Sequence, residues 1–291
     1  MTYEQFTTLL SPYLPTLPAV CGEEAVQKRL WQIGEKLVEN NRKYNLTAIV
    51  EPEAVVEKHI VDSLLPLSIL IQQGILTEAL TLPDEKQTPS GTLRQTNGTL
   101  RLTNGTLNGT PNVPHSGTLR QTNSMLRLID IGAGAGFPSL PFAAVLPEKT
   151  TRILAVDATA KKVRHITETA AACGISHMAA EAGRAEELSQ GKLRESFTIA
   201  TARAVAELRI LVELTAPFVA VGGMVVALKG SHGADEVAAA AGIAKTLGLS
   251  EPQIHEYTLP SGDGRTLILY NKVRSTPKEY PRPYNKIKAG K

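Results

Sequence analysis

One short segment constrains the fold of this chain more than any other. Residues 126–138 read LRLIDIGAGAGFP, an apolar run containing Asp130, then three glycines at alternate positions, then Pro138 near the start of a predicted helix. A buried strand that passes through a glycine-rich turn into a helix is typical of nucleotide-binding βα units, because glycines let a ligand approach the backbone at the helix N-terminus. The segment therefore predicts an α/β fold with a ligand site at 132–137.

Strands and helices alternate through the rest of the C-terminal half. The pattern predicts helices from near Pro138 and at 159–174, 206–220 and 234–247, and seven strands at 126–131, 152–157, 177–183, 197–203, 223–228, 254–259 and 265–272. Alternation of this kind builds parallel βαβ units. The PSGDG segment between the last two strands favours a hairpin. We predict a Rossmann-like α/β fold with a mostly parallel seven-stranded sheet and a terminal antiparallel hairpin.

The N-terminal part has helical rather than strand periodicity. Residues 22–39 repeat apolar side chains at the spacing of an amphipathic helix, and residues 52–71, with Pro52 near the first turn, form a second. His59, Asp62 and Ser63 stand at i, i+3 and i+4, so they are expected on one helix face. Such a face either positions a substrate or only satisfies its own hydrogen bonds.

A low-complexity segment separates the two halves. GTLRQTN occurs at 91–97 and again at 117–123, with related units between them. Each unit has one leucine among Gly, Thr and Asn, which gives neither a coiled-coil seam nor a solenoid repeat. Residues 83–125 are therefore predicted to be a flexible surface insertion, because they cannot bury enough apolar surface to offset their ordering entropy.

Composition narrows the class of protein. The 291 residues contain no apolar run of the roughly 18 residues that a membrane helix needs, and the N-terminus does not resemble a secretory signal. The two cysteines, Cys21 and Cys173, form no CxxC pair and predict no metal site. We expect a cytoplasmic protein without a membrane partner, with a monomer as the default.

Charge is concentrated at the C-terminus. The net charge of the chain is +3, but residues 272–291 hold seven basic residues and one acidic residue. Lysines and arginines neutralise phosphates, and Tyr280 and Tyr284 are able to stack on bases. Either a nucleic-acid contact or a solvated tail accounts for this segment.

The glycine loop distinguishes between cofactors. A dinucleotide fingerprint starting at Gly132 requires glycine at position 137, where this chain has Phe137. An acid two residues before G-x-G-x-G is instead the pattern of S-adenosylmethionine sites. Asp157, at the end of the next strand, suits the ribose hydroxyls of either ligand. No P-loop or G-x-S-x-G elbow is present, so phosphoryl transfer and serine hydrolysis have no support.

Six motifs in order resemble the RsmG family of bacterial RNA methyltransferases, also called glucose-inhibited division protein B. They are NRKYNLT at 41–47, HIVDSL at 59–64, LIDIGAGAGFP at 128–138, GRAEE at 183–187, ARA at 202–204 and ALKG at 227–230. The resemblance spans nearly the whole chain outside the insertion, and it departs from the family at Asn40, where a tryptophan is usual. It implies a class I methyltransferase that methylates N7 of a guanosine in 16S rRNA of the small ribosomal subunit.

The resemblance also implies a set of site residues. The S-adenosylmethionine-binding residues would be Gly132, Gly134, Phe137, Asp157, Ala158, Thr159, Ala185, Glu186 and Arg203. We expect Asp62 and His59, with Asn45 and Ser63, to form the wall that receives the guanine. Charge and position indicate three candidates for RNA phosphate contacts, namely Lys229, Arg265 and, in the basic tail, Lys286.

These expectations divide the chain into a helical region at 1–82, the insertion at 83–125, a methyltransferase domain at 126–272 and a basic tail at 273–291. Two other functions stay open at this point. One is a nicotinamide-dependent oxidoreductase, which Phe137 disfavours. The other is an RNA-binding module with an unused methyl-donor pocket, against which the intact loop, Asp157 and Arg203 argue together.

Overall fold

The computed structural model describes residues 1–76 and 125–290, in which one seven-stranded sheet is the central element. The predicted insertion at 83–125 lies, apart from Met125, outside the described residues. The strands stand in the order β3-β2-β1-β4-β5-β7-β6, with bounds β1 Leu126–Ile131, β2 Thr151–Asp157, β3 Met178–Ala182, β4 Phe197–Arg203, β5 Val219–Gly230, β6 Gln253–Thr258 and β7 Gly264–Asn271.

The sheet has the predicted mixture of parallel and antiparallel pairs. Strands β1 to β5 are parallel to one another, whereas β7 pairs antiparallel with both β5 and β6. The carboxyl ends of β1, β2, β3 and β4 therefore meet along one side of the sheet, which we call the carboxyl edge. Open α/β sheets bind ligands at this edge, where the chain order reverses between β1 and β4. The predicted fold class is confirmed.

Ten α-helices surround the sheet in the described part of the chain. Their bounds are α1 Tyr3–Leu10, α2 Glu24–Tyr44, α3 Pro52–Val55, α4 Asp62–Gln72, α5 Ser139–Val145, α6 Ala160–Ala172, α7 Ala185–Leu188, α8 Leu208–Thr215, α9 Val237–Thr246 and α10 Tyr284–Ala289. None of the described helices is long and apolar enough to cross a membrane.

The N-terminal helices share a hydrophobic core with one face of the sheet. Leu30 and Leu37 of α2 and Leu64 of α4 are fully buried in the same cluster as Leu128 of β1 and Phe142 of α5. A second cluster on the other face contains residues of α8 and α9. The helical region is thus packed directly against the strands that carry the carboxyl edge.

Three predicted boundaries differ from the structure by four residues or more. The helix expected at 206–220 ends with Thr215, and after a 3₁₀ turn at Ala216–Phe218 the chain enters β5 four residues earlier than predicted. Pro217 ends the helix because it has no N–H to continue the hydrogen-bond ladder. Helix α2 continues five residues beyond the predicted end at residue 39, to Tyr44, and stops at Asn45 in the left-handed conformation.

The second N-terminal helix is not a uniform α-helix. Between α3 and α4 the residues Val56–Val61 form a π-helical turn, and the Asp62 N–H donates to the carbonyl oxygen of Glu57, five residues back. Turns of this kind occur often at functional sites. The wider turn alters the relative directions of His59 and Asp62, which simple α-helical spacing does not anticipate.

The basic tail folds back onto the protein. Ile287 of α10 is fully buried in the second cluster, and Arg209 of α8 donates to its carbonyl oxygen. Arg282 pairs with the fully buried Glu213 at 2.6 Å. Lys272 is also buried, where its ammonium donates to the Ala216 carbonyl. Some of the basic side chains of the tail are therefore paired within the protein, whereas Lys286 and Lys288 are exposed.

Candidate active site

The glycine loop after β1 is tightly packed against the chain after β4. Gly132 has φ +69°, and a Cβ atom added to it would lie 2.6 Å from Cγ2 of Val205. An L side chain is disfavoured there by both the backbone conformation and the lack of space. The structure thus explains Gly132 as the residue that lets this loop pass close to the end of β4.

Asp157 fastens the loop to the end of β2. Its Oδ2 accepts a hydrogen bond from the Gly134 N–H at 3.0 Å, and its Oδ1 accepts one from the Thr159 N–H at 2.8 Å. Lys162 lies 3.9 Å from the same carboxylate. A carboxylate has about four acceptor positions, so Asp157 keeps acceptor capacity for the hydroxyls of a ligand.

Asp130 is fully buried one residue before the end of β1. Its Oδ2 accepts a hydrogen bond from the Ser139 N–H at 3.3 Å, at the start of α5, while its Oδ1 finds no partner among the described residues. Burial raises the pKa of Asp130 to about 6. A buried, incompletely satisfied acid below the loop fits a site whose polar contacts are completed by a ligand.

Aromatic side chains from two parts of the chain meet beside the loop. The ring of His59 stacks on that of Phe137, with centroids 4.8 Å apart, and the guanidinium of Arg203 lies 5.7 Å from the same phenyl centroid. Burial, and secondly the charge of Arg203, lower the pKa of His59 to about 4. His59 is therefore neutral at pH 7, which reduces charge repulsion beside Arg203.

Asp62 lies between two arginines. The Nε–H of Arg265 donates to Oδ1 and Oδ2 of Asp62 at 3.0 and 3.1 Å, and Nη1 of Arg203 is 3.5 Å from Oδ2. Arg203 also donates to the Lys58 carbonyl oxygen at 3.3 Å. The carboxylate of Asp62 thus joins the N-terminal helices to β4 and β7 at the carboxyl edge.

The loop after α2 is fixed by a single side chain. Asn41 Oδ1 accepts from the backbone N–H groups of Leu46 and Thr47 at 2.6 and 2.9 Å, and its Nδ2 donates to the Thr47 carbonyl oxygen. Thr47 Oγ1 lies 3.2 Å from Nε2 of His59. The exposed Asn45 is held in this loop with φ +53°.

The segment after β3 completes this side of the site. Gly183 donates its backbone N–H to the Asp157 carbonyl oxygen at 3.1 Å, which places the start of α7 beside the end of β2. Ala185 is buried, and Glu186 pairs with Arg184 at 3.8 Å. The guanidinium of Arg184 lies 5.3 Å from the ring of Tyr284 in α10.

Comparison with known proteins identifies the family. The family model for GidB, rRNA small subunit methyltransferase G, matches residues 115–261. Proteins named ribosomal RNA small subunit methyltransferase G from Lactobacillus johnsonii and Leuconostoc citreum are 34% and 32% identical to this chain. The alignments cover 89% and 97% of this chain and 88% and 95% of the relatives.

The chain belongs to the rRNA small subunit methyltransferase G family. Membership confirms the predicted family and the enzyme class, an S-adenosylmethionine-dependent methyltransferase. A third member, from Deinococcus radiodurans, is 44% identical over 156 residues, which is 53% of this chain and 61% of that protein. The oxidoreductase and the non-catalytic module are not favoured.

Most of the expected site residues lie together at the carboxyl edge. The expected donor-binding residues lie at or just after the ends of the adjacent strands β1, β2, β3 and β4. They are the loop residues after β1, Asp157, Ala158 and Thr159 after β2, Ala185 and Glu186 after β3, and Arg203 at the end of β4. His59 and Asp62 approach Phe137 and Arg203 from the helical side. Ser63 is fully buried and its hydroxyl donates to the His59 carbonyl oxygen, so it supports the helix from inside.

The three candidate phosphate contacts have different surroundings. Lys229 donates to the Ala206 carbonyl oxygen at 2.7 Å and pairs with Glu236 at 2.9 Å, with only 10% of its side chain exposed. Arg265 is paired with Asp62, as described above. Lys286 lies exposed on α10. Internal pairing thus distinguishes the first two from a surface cation available to RNA.

Two residues with clear structural roles were missed by sequence reasoning. Asn41 fixes the loop that carries Asn45, and Lys58 supplies the carbonyl oxygen that holds Arg203. Asn41 is the first residue of the NRKYNLT motif, and this motif was the sequence signal that pointed to it. The role of Lys58 depends on its backbone, for which a sequence provides no signal. In residues 1–76 and 125–290 no group of three or more His, Cys, Asp or Glu is placed to hold a metal ion.

Proposed function

We propose that this protein transfers a methyl group from S-adenosylmethionine to N7 of a guanosine in 16S rRNA of the small ribosomal subunit. One observation carries the proposal. In a member of this family, the glycine loop fastened to Asp157 and the Asp62–Arg203 pair meet at the carboxyl edge of the sheet. A donor pocket and an acceptor wall at one edge are what methyl transfer requires, because alignment supplies much of its rate.

The residues present fit the methyl donor. The narrow passage at Gly132, the spare acceptor positions of Asp157 and the unpartnered Oδ1 of Asp130 mark a cradle for a polar ligand beside the loop. When bound, S-adenosylmethionine supplies an electrophilic methyl group on a sulfonium. The proposed holding residues are Gly132, Gly134, Phe137, Asp157, Ala158, Thr159, Ala185, Glu186 and Arg203.

The acceptor side of the site suits a base that becomes positively charged. N7 of guanine has a lone pair at neutral pH, so its methylation needs no general base. The neutral imidazole of His59, stacked on Phe137, presents an aromatic surface without adding positive charge. Asp62 supplies a carboxylate in the same wall, and we assign it the role of easing the developing charge on the purine.

We infer that RNA is held from two sides of the site. Asn45 is exposed in the loop that Asn41 fixes, and Thr47 of the same loop contacts His59. We propose that Asn45 contacts the nucleotide, with Ser63 supporting the wall from inside. Lys286 on α10 is proposed to contact a phosphate, because it is exposed and lysines neutralise phosphates.

The domain bounds, the oligomeric state and the location are also proposals. We propose a methyltransferase unit at 126–272 preceded by a helical region at 1–82, with an insertion at 83–125 and a basic tail at 273–291. We propose that the protein is a monomer. A cytoplasmic location follows from ribosomal RNA as substrate.

The proposal is tested by methyl transfer from labelled S-adenosylmethionine to 16S rRNA and to small subunits, with nucleoside mass spectrometry for 7-methylguanosine. We expect incorporation at a single guanosine, and a rate about 10-fold lower for Asp62→Asn, which corresponds to about 1.4 kcal/mol of transition-state stabilisation. Calorimetric titration should show unchanged donor affinity in that variant. Labelling of another base, or saturable binding of NAD alone, would contradict the proposal.

A further inference from the structure

The contacts of Arg265 are unusual for a cation expected to bind RNA. Two of its three guanidinium nitrogens donate hydrogen bonds within the protein, Nε to both oxygens of Asp62 and Nη1 to the Gly264 carbonyl at 3.0 Å, and Nη2 lies 3.8 Å from a carboxylate oxygen of the half-exposed Asp263. Only 20% of its side chain is exposed, and Asp62 is 8% exposed. The hydrogen bonds of Nε and Nη1 are both directed at the protein.

Arg265 belongs to a wider set of contacts between two segments. Beside it, Lys58 pairs with Asp263 at 3.0 Å, and Glu57 Oε1 accepts from the backbone N–H of Ser261 at 2.6 Å. These contacts join the π-helical turn Val56–Val61 to the loop between β6 and β7. The hairpin therefore holds the turn that carries His59 and leads into Asp62.

The same contacts reach Arg203 at the end of β4. Nη1 of Arg203 lies within 3.5 Å of both the Lys58 carbonyl oxygen and Oδ2 of Asp62, and its guanidinium stands over Phe137 of the glycine loop. If Asp62 lost its partner on β7, it would be free to rotate toward Arg203 or solvent. The orientation of Asp62 and Arg203 thus depends on the hydrogen bonds of Arg265, which lies outside the glycine-loop motif.

We propose that Arg265 is a positioning residue for the methyl-transfer site, holding Asp62 and through it Arg203, and that it does not contact an RNA phosphate. The inference rests on the proposed function, because it assigns a role toward the same Asp62. A charge-assisted hydrogen bond from a planar guanidinium fixes direction as well as charge, which an ammonium on a flexible stem does not.

The two roles predict different behaviour for a conservative change. At a phosphate contact, Arg265→Lys keeps a point charge and retains most of the RNA affinity. At a positioning site, the same change loses the fixed geometry around Asp62, so that turnover falls although the charge is kept. Salt dependence separates the roles further, since removing one phosphate contact reduces the slope of log K against log salt by about 1.

The experiment compares Arg265→Lys, Arg265→Gln and Arg152→Gln in the full-length protein. Arg152 is a matched control, because it is exposed near the start of β2, at the edge of the sheet opposite the site. We expect kcat about 10-fold lower in both Arg265 variants, with an unchanged salt slope for binding of 16S rRNA. Thermal unfolding reports whether each variant is folded.

A double-mutant cycle with Asp62→Asn completes the test. If Arg265 acts through Asp62, adding Arg265→Gln to Asp62→Asn should change kcat less than about 2-fold, because coupled residues are non-additive. Full additivity, or wild-type turnover in Arg265→Lys with a salt slope reduced in Arg265→Gln, would overturn the inference. Wild-type turnover in Asp62→Asn would instead overturn the proposed role of Asp62, so the two failures are distinguishable.

Discussion

Nδ2 of Asn40 donates a hydrogen bond to Nδ1 of the buried His165 at 3.0 Å, joining α2 to α6. This asparagine stands where the resemblance leads one to expect tryptophan, and the structure shows its polar partner. Burial lowers the pKa of His165 to about 4, so the ring is neutral at pH 7 and has an acceptor nitrogen to satisfy. The contact links the two helices by a specific hydrogen bond.

Asn40→Ala should destabilise the protein, because it leaves a buried imidazole nitrogen without its best partner. We expect the free energy of unfolding to fall by about 1–2 kcal/mol, measured by urea denaturation at pH 7. Glu39→Ala on the same helix is the control, since that exposed side chain forms a surface ion pair with Lys36 and its loss should cost much less. An equal loss in both variants would refute the interpretation.

Asn41→Ala should impair turnover more than folding. Without this side chain the backbone N–H groups of Leu46 and Thr47 lose their acceptor, and the loop that carries Asn45 is no longer held beside His59. We expect methyl transfer to fall about 10-fold with unchanged affinity for S-adenosylmethionine, measured by calorimetry. Loss of donor affinity at normal turnover would place Asn41 elsewhere in the mechanism.

A pair of glycine substitutions separates backbone strain from crowding at the loop. Gly132 and Gly174 have similar φ angles of +69° and +64°, but only Gly132 has an atom in the path of an added Cβ. Gly174→Ala should cost only the strain, about 1 kcal/mol. Gly132→Ala should lose more stability than that and at least about 10-fold in donor affinity, which is about 1.4 kcal/mol.

The result would be read from melting curves and titration of both variants side by side. Equal melting temperatures and equal donor affinities in the two alanine variants would show that Val205 yields to the new methyl group. The close packing of the loop on the end of β4 would then not explain why glycine is present at position 132.

Asp130 provides a pH-dependent prediction. Its pKa is raised to about 6 in the folded protein by burial, against an ordinary value of 3.8. The folded state therefore binds the proton more tightly, so this group's contribution to stability is present below pH 4 and is lost as the pH rises through 6. Asp130→Asn should then stabilise the protein at pH 8, by on the order of 1–2 kcal/mol.

The gain from Asp130→Asn should shrink as the pH is lowered from 8 to 5, because the native acid then becomes protonated itself. Urea denaturation of both proteins at several pH values measures this difference. A gain that does not vary with pH would mean that the substitution acts through packing or through Arg203 rather than through the ionisation of Asp130.

Much of the fold follows from local sequence signals. The seven strands, the loop at 132–137 and the terminal hairpin are all predicted by apolar runs, glycines and turn residues that act over a few positions. The early start of β5 and the π-helical turn are not, because they depend on long-range strand pairing and on packing against the sheet. The periodicity of apolar residues predicts one helix or strand at a time and does not report contacts between distant segments.

The candidate site shows the same division. The loop, Asp157 and Arg203 are predictable because parallel strands bring their carboxyl ends together. The partners of the charged residues are not predictable: a count of charge treats Lys229, Arg265 and Lys286 alike, while the structure pairs the first two with Glu236 and Asp62. Basic residues identify RNA contacts only after their internal partners are known.

The polarity of the sheet has one more consequence. The chain between α4 and β1 rejoins the described structure at Met125, just before Leu126 opens β1, and this is the end of the strand opposite Gly132. Met125 is thus separated from the glycine loop of the candidate site by the whole length of β1. The same junction is therefore a natural place to introduce an affinity tag or a reporter domain into this enzyme while leaving its chemistry undisturbed.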